Sequence, residues 1–170
     1  SRTPVREALA RLEQDGLLER VPRGYRVRSG TPEDVLDLYD ARTALEGVSA
    51  AAAADRRTAL ELARLESLHA DAATADPDEQ RRLNALWHEA LWVASHNATV
   101  TGLLVRLTAQ LRIDDGTRTE AADDLAATHV EHGAVLDAVR RRGPEAARAA
   151  IGAHLERSRD LRLRAFAARR

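Results

Sequence analysis

Beyond residue 30 the chain repeats one device, and that device leaves room for little except helices. Thr31-Pro32-Glu33-Asp34, Thr58 to Glu61, Asp76-Pro77-Asp78-Glu79 and Gly143-Pro144-Glu145 are each a helix start. A side-chain oxygen meets the first free amides, proline fits a first-turn position that needs no N–H, and acidic residues face the positive helix end. Between the starts run apolar stripes at helical spacing, such as Leu103, Leu104, Leu107, Leu111 and Leu125, Val135, Leu136, Val139. No strand-like alternation and no internal repeat follows residue 28. The body, residues 30–170, is therefore expected to be an antiparallel bundle of about six helices with short connections, in an all-α chain.

The first 29 residues differ. Thr3 or Ser1 as cap, Pro4 and Glu7 signal a helix that runs to Asp15-Gly16, with Val5, Ala8, Leu9 and Leu12 on one side. The segment "LLERVPRGYRV" then reads as a two-stranded hairpin around Pro22-Arg23-Gly24. A helix and a hairpin are too small to bury a core alone. The chain contains no methionine, so Ser1 is not a translation start and a preceding segment is expected.

Charge separates the two parts as well. The net charge is only -1, yet residues 1–30 hold seven Arg against four acidic residues, which leaves a basic head on an acidic body. The absence of cysteine excludes disulfides and thiolate metal sites, so any metal must be held by His, carboxylate or amide oxygen. No apolar run approaches membrane-spanning length, and the simple reading is a cytoplasmic protein.

In the head, Ser1, Arg2, Thr3 and Arg6 cluster at the helix amino end, where donors and the helix dipole can meet a phosphate or a guanine edge. Arg23 and Gly24 at the hairpin tip would lie over a neighbouring backbone. The competing reading is an amphipathic surface helix with solvated arginines.

In the body, three of six histidines stand at positions where a helix should be apolar. His88 has Leu91 and Trp92 one turn on, His132 has Val135 and Leu136, and His154 lies with Ile151 and Ala150. Asn84 is one turn before His88. A single inward histidine is usually a hydrogen-bonded core residue, but three with an amide are costly to bury without a shared partner. A divalent metal is the economical partner, zinc first, with nickel and manganese as alternatives. His129, one turn before His132, is the substitute ligand, His69 reads as a helix-surface residue, and His96-Asn97 reads as a helix end with Asn97 as its left-handed terminator. Arg42 faces the interior on the Leu38, Leu45 stripe. It reads either as an ordinary i,i+4 partner of Glu46 or, with Glu46, as an anchor for a carboxylate ligand.

The string "SRTPVREALARLEQDGLLERVPRGYRV" resembles the recognition helix and wing of the GntR family of bacterial winged-helix repressors. "LYDARTALEG", "LNALWHEALWVASHN", "EHGAVLDAV" and "GPEAARAAIGAHLERS" resemble successive motifs of the FCD effector domain in the FadR-like branch of that family. The resemblance covers the chain. It implies a partial winged helix-turn-helix over residues 1–29 and an FCD-type domain for effector binding and oligomerisation over residues 30–170. It also implies that Arg2 and Arg6 read bases while Ser1, Thr3, Arg23 and Gly24 hold phosphates. Asn84, His88, His132 and His154 become the metal ligands, with Asn84 in place of the commoner aspartate and Trp87 in place of phenylalanine. A homodimer on a pseudo-palindromic operator, controlled by a small carboxylate effector, is the expected function. The chain is not expected to be an enzyme. The rivals are a metal-dependent enzyme using the three histidines and a metal-free ligand-binding regulator. Against the first, "WHEALW" puts Trp92 where a HExxH protease needs its second histidine.

Overall fold

A computed structural model describes residues 2–113 and 122–168, without the side chains of Arg2, Ile113, Ala122 and Asp123. Ser1 lies outside the described residues, as does the Arg2 side chain.

Helix α1 spans Arg2–Gln14. Its end is fixed by Gly16, at φ 72°, because the left-handed turn lets the Gly16 amide reach the Glu13 carbonyl at 3.1 Å and the Leu17 amide reach Leu12 at 2.9 Å. This paired closure satisfies carbonyls that the helix would otherwise leave open. Strands β1, Leu18–Val21, and β2, Gly24–Val27, pair antiparallel in the register Val21 with Gly24 and Leu18 with Val27. The hairpin turn is therefore Pro22-Arg23. In α1 the apolar Val5 and Leu12 are 59% and 38% exposed, while Leu9 and, just before β1, Leu17 are half-buried.

Six helices follow among the described residues: α2 Pro32–Arg56, α3 Ala59–Ala72, α4 Pro77–Ala94, α5 Ala98–Ile113, α6 Ala122–Arg140 and α7 Pro144–Ala167. Thr31 and Thr58 each close a full capping box, with Asp34 and Glu61 returning the bond, and Asp76 caps α4 through the amides of Asp78 and Glu79. Gly143 starts α7 without a side-chain cap, leaving Pro144 as the signal there. The α4–α5 junction departs from expectation. His96 itself takes the left-handed turn, at φ 52°, and the Asn97 side chain instead accepts from the Val100 amide to start α5.

Helix α2 is central and packs most heavily against α7, with α4, α5 and α6 also against it. Its second half supplies Ala50, Ala53 and Ala54, all fully buried, and these small side chains permit close helix approach. Around them Leu65, Leu91, Val135, Val139, Ile151 and Leu155 form the main core. A second, smaller core joins Val35 and Tyr39 of α2 to Leu111 of α5, with Leu107, Leu163 and Phe166 against it. The first core includes Leu91, Val135 and Ile151 from the helices that carry His88, His132 and His154, and Leu111 of the second adjoins Gln110, whose amide reaches the Asp15 carbonyl. No described helix is long and apolar enough to cross a membrane.

Candidate functional site

His88, His132 and His154 come from three helices, α4, α6 and α7, and converge. One ring nitrogen of each lies within 4.8 Å of those of the other two, and all three residues are buried. Helical periodicity points each histidine inward, since each shares its side with core residues such as Leu91, Val135 and Ile151, and the packing of α4, α6 and α7 brings the three together. Trp87 stacks on His132 with centroids 4.0 Å apart and planes 13° apart, which fixes that ring between α4 and α6.

Two carboxylates stand behind two of the three histidines. His88 Nδ1 stands 2.7 Å from Glu46 Oε2, and Glu46 Oε1 accepts from Arg42 Nε at 2.6 Å. His154 Nδ1 stands 2.8 Å from Glu131 Oε2, and Arg157 Nε donates to the other Glu131 oxygen. Arg157 also donates to the Thr128 hydroxyl at 2.7 Å. Burial alone would raise the Glu46 carboxyl, but His88 and Arg42 outweigh it and hold the group far below the usual carboxylate range. At Glu131, burial is likewise overcome by the bonds from His154 and Arg157, and the carboxyl is lowered. Burial pushes His88 down to about 4 despite Glu46, and burial with the neighbouring His154 and His88 takes His132 well below the ordinary imidazole range.

An ionised carboxylate at Nδ1 accepts, so Nδ1 carries the hydrogen and Nε2 of a neutral ring is a bare lone pair. The Nε2 atoms of His88 and His154 face each other at 3.3 Å. His132 Nε2 is buried with no hydrogen-bond partner, and so is the Asn84 carbonyl oxygen. Buried acceptors without a donor are costly. A cation would give these unpartnered atoms a partner, and imidazole and amide donors suit zinc and its neighbours. The residues present therefore fit a divalent ion, and the carboxylates behind His88 and His154 are the outer partners that such ligands ordinarily have.

The histidines open onto a cavity of about 320 Å³ whose described lining includes Arg42, Asn84, Trp92, Thr108 and Arg162, and no carboxylate side chain. Arg42 lies 5.8 Å from the centre of the Tyr39 ring. Glu46, expected beside a ligand, does not line the cavity. It is completely buried behind His88, because the i,i+4 pairing with Arg42 turns it away from the open space. His69 is also displaced from expectation: rather than standing on a surface, it stacks on His129 at 4.0 Å with planes 1° apart, and both line the cavity. Sequence reasoning did not find Glu131 and Arg157. Their only mark is a Glu beside His132 and an Arg three residues after His154, a pattern shared by ordinary solvated faces.

At the head, Thr3, Arg6, Arg23 and Gly24 are all exposed. Gly24, at φ 137°, has open space around it, so main chain can be approached closely there. Arg26 pairs with Glu19 across the hairpin, and Arg20 lies 5.7 Å from the centre of the Tyr25 ring.

A model of the FCD domain family matches residues 37–157. The HTH-type transcriptional regulator YdhC of Bacillus subtilis is 32% identical over 163 residues, covering 91% of this chain and 71% of that protein. Escherichia coli McbR/YncC has the same fold, with a TM-score of 0.84 at 20% identity over 98% of this chain and 82% of that one. A GntR family member from Pseudomonas syringae gives a TM-score of 0.66 at 26% identity, over 99% of this chain and 73% of that one. By these matches, and by the helical bundle with its small hairpin, the chain belongs to the GntR family of transcriptional regulators, in the FadR-like branch that carries an FCD domain.

Proposed function

We propose that the protein is a DNA-binding regulator whose operator affinity is set by a small carboxylate effector held beside a divalent ion. Asn84, His88, His132 and His154 would hold the ion, and Arg42 would face the effector. The observation that carries this reading is the convergence of one ring nitrogen each from the buried His88, His132 and His154 within 4.8 Å of one another, beside the unpartnered Asn84 carbonyl oxygen. An ion bound there would offer an electron-poor site to a carboxylate. The ligands are all neutral, so no ligand charge offsets the ion, and Arg42 adds a cation at the cavity wall.

Residues 1–29 would read DNA and residues 30–170 would sense and dimerise. Thr3 and Arg6 are exposed on α1 together with Arg23 and Gly24 at the hairpin, as a groove-reading helix and a backbone-holding wing require. A two-fold dimer would double this modest basic surface on a pseudo-palindromic site. A hydrolytic use of the centre is less well supported. The described cavity lining contains no Asp or Glu to act as a base, and Glu46 and Glu131 are both engaged.

Zinc titration tests the reading. Zinc(II) at a hundredfold excess over its dissociation constant should raise the free energy of unfolding by about 2.7 kcal/mol, because only the folded chain brings the ligands together. Denaturant melts of the parent and of His154→Ala measure it. An equal response from both proteins would rule out this centre.

A further inference from the structure

Gln110 stands where the cavity and the head come closest in chemistry. Its side-chain amide, on α5, donates to the Asp15 carbonyl at 2.8 Å, across 95 residues of sequence. The same amide leaves so little room that a Cβ on Gly16 would lie 3.0 Å from Gln110 Nε2. Glycine at 16 suits the left-handed turn and lets the Gln110 amide lie close against it. The Asp15 carbonyl belongs to the closing turn of α1, the helix that carries Thr3 and Arg6.

The neighbours of Gln110 belong to the cavity. Thr108, Leu111 and Arg112 line it, so the last two turns of α5 present one side to the cavity and Gln110 to the head. The end of α5 is also gripped from α7. Arg162, only 3% exposed, donates to the Leu111 carbonyl, and it lies eight residues beyond His154 with Ser158 between them, all three on the cavity. A continuous run of contacts therefore leads from His154 along α7 to Arg162, to Leu111, and through Gln110 to the end of α1. Packed side chains and hydrogen bonds of this kind are the physical carriers of coupling between sites.

We propose that Gln110 is the residue through which the state of the cavity is transmitted to the DNA-reading helix. The proposal rests on the metal-centred reading above. A shift of α7 or of the α5 end on occupancy changes how well Gln110 holds the Asp15 carbonyl, and so changes how firmly α1 and the hairpin are held. Binding and head docking are then linked, each altering the other by one factor.

Amide hydrogen exchange over residues 3–28, with and without zinc(II), tests this on the whole chain. Zinc should change exchange there by about fivefold or more, the lower end of ordinary coupling. In Gln110→Ala that response should be lost while calorimetry still registers zinc binding and circular dichroism keeps its helical signal. Arg28→Ala cuts a different tie, the 2.7 Å bond from Arg28 to Asp34, and should keep the response. Failure of the parent to bind zinc overturns the metal reading and this proposal together. Zinc binding with no change over residues 3–28, an undiminished response in Gln110→Ala, or loss in both variants overturns the role of Gln110 alone.

Discussion

Glu46 and Glu131 decide what the three histidines are. Without an acceptor at Nδ1 an imidazole can place its hydrogen on either nitrogen, and three inward rings could satisfy one another. With a carboxylate accepting at Nδ1 of His88 and of His154, both rings are oriented with Nε2 toward the shared centre. Glu131→Gln keeps an oxygen near His154 but removes the charge that strengthens it as a donor and orients its ring. It should weaken zinc binding by about 10- to 100-fold, the usual effect of losing an outer partner, as read by calorimetry. Unchanged affinity would make Glu131 a structural residue only. The inward direction of His88, His132 and His154 was legible in the sequence because it follows from helix period. Glu131 was not, because its role depends on the angle at which α6 meets α7, and no spacing within α6 encodes that angle.

At the scale of elements, helix starts were the most legible part of this chain because their chemistry is local. The Thr58 hydroxyl accepts from the Glu61 amide at 3.2 Å, and the Glu61 carboxylate accepts from the Thr58 amide at 2.8 Å. Thr58→Ala should therefore cost about 1 kcal/mol of stability in denaturant melts at neutral pH. The backbone bond from Thr58 lowers the Glu61 carboxyl, helped by the Thr58 hydroxyl and His96. A carboxyl lowered in the folded state stabilises fully above its unfolded value and loses that contribution as pH falls through the folded one. The stability gap between the parent and Glu61→Gln should accordingly shrink in acid, below the ordinary carboxylate range. A gap that is constant with pH would mean that the box is not formed in solution. Helix ends were less legible: His96 takes the left-handed turn expected of Asn97, since the Asn97 side chain serves better as the cap of α5. Leu103, placed on the α5 stripe with Leu104 and Leu111, is 40% exposed while those two are buried, because α5 has few neighbours and presents only a narrow side to the core.

For the whole molecule, the functional claim is that the exposed basic head reads DNA. Arg6→Ala should cost about 1 to 3 kcal/mol at a site selected from random sequence, the scale of a bidentate guanine contact, with little loss on random DNA. Arg23→Ala should weaken both alike; equal losses for Arg6 on both DNAs would reduce it to a phosphate contact. The sequence by itself determined the helical bundle, the hairpin, the capped starts of α2, α3 and α4 and the inward face of His88, His132 and His154. These depend on residues within about one helical turn of one another, where backbone geometry alone fixes which side chains are neighbours. Only the tertiary structure decided that Glu46 stands behind His88 rather than beside a ligand, that His69 and His129 stack on the cavity, that Arg157 and Glu131 hold His154, and that Gln110 reaches the end of α1. Each of these joins helices far apart in the chain, and their meeting is fixed by how side-chain volumes pack between helices, a property of the assembled core rather than of any segment.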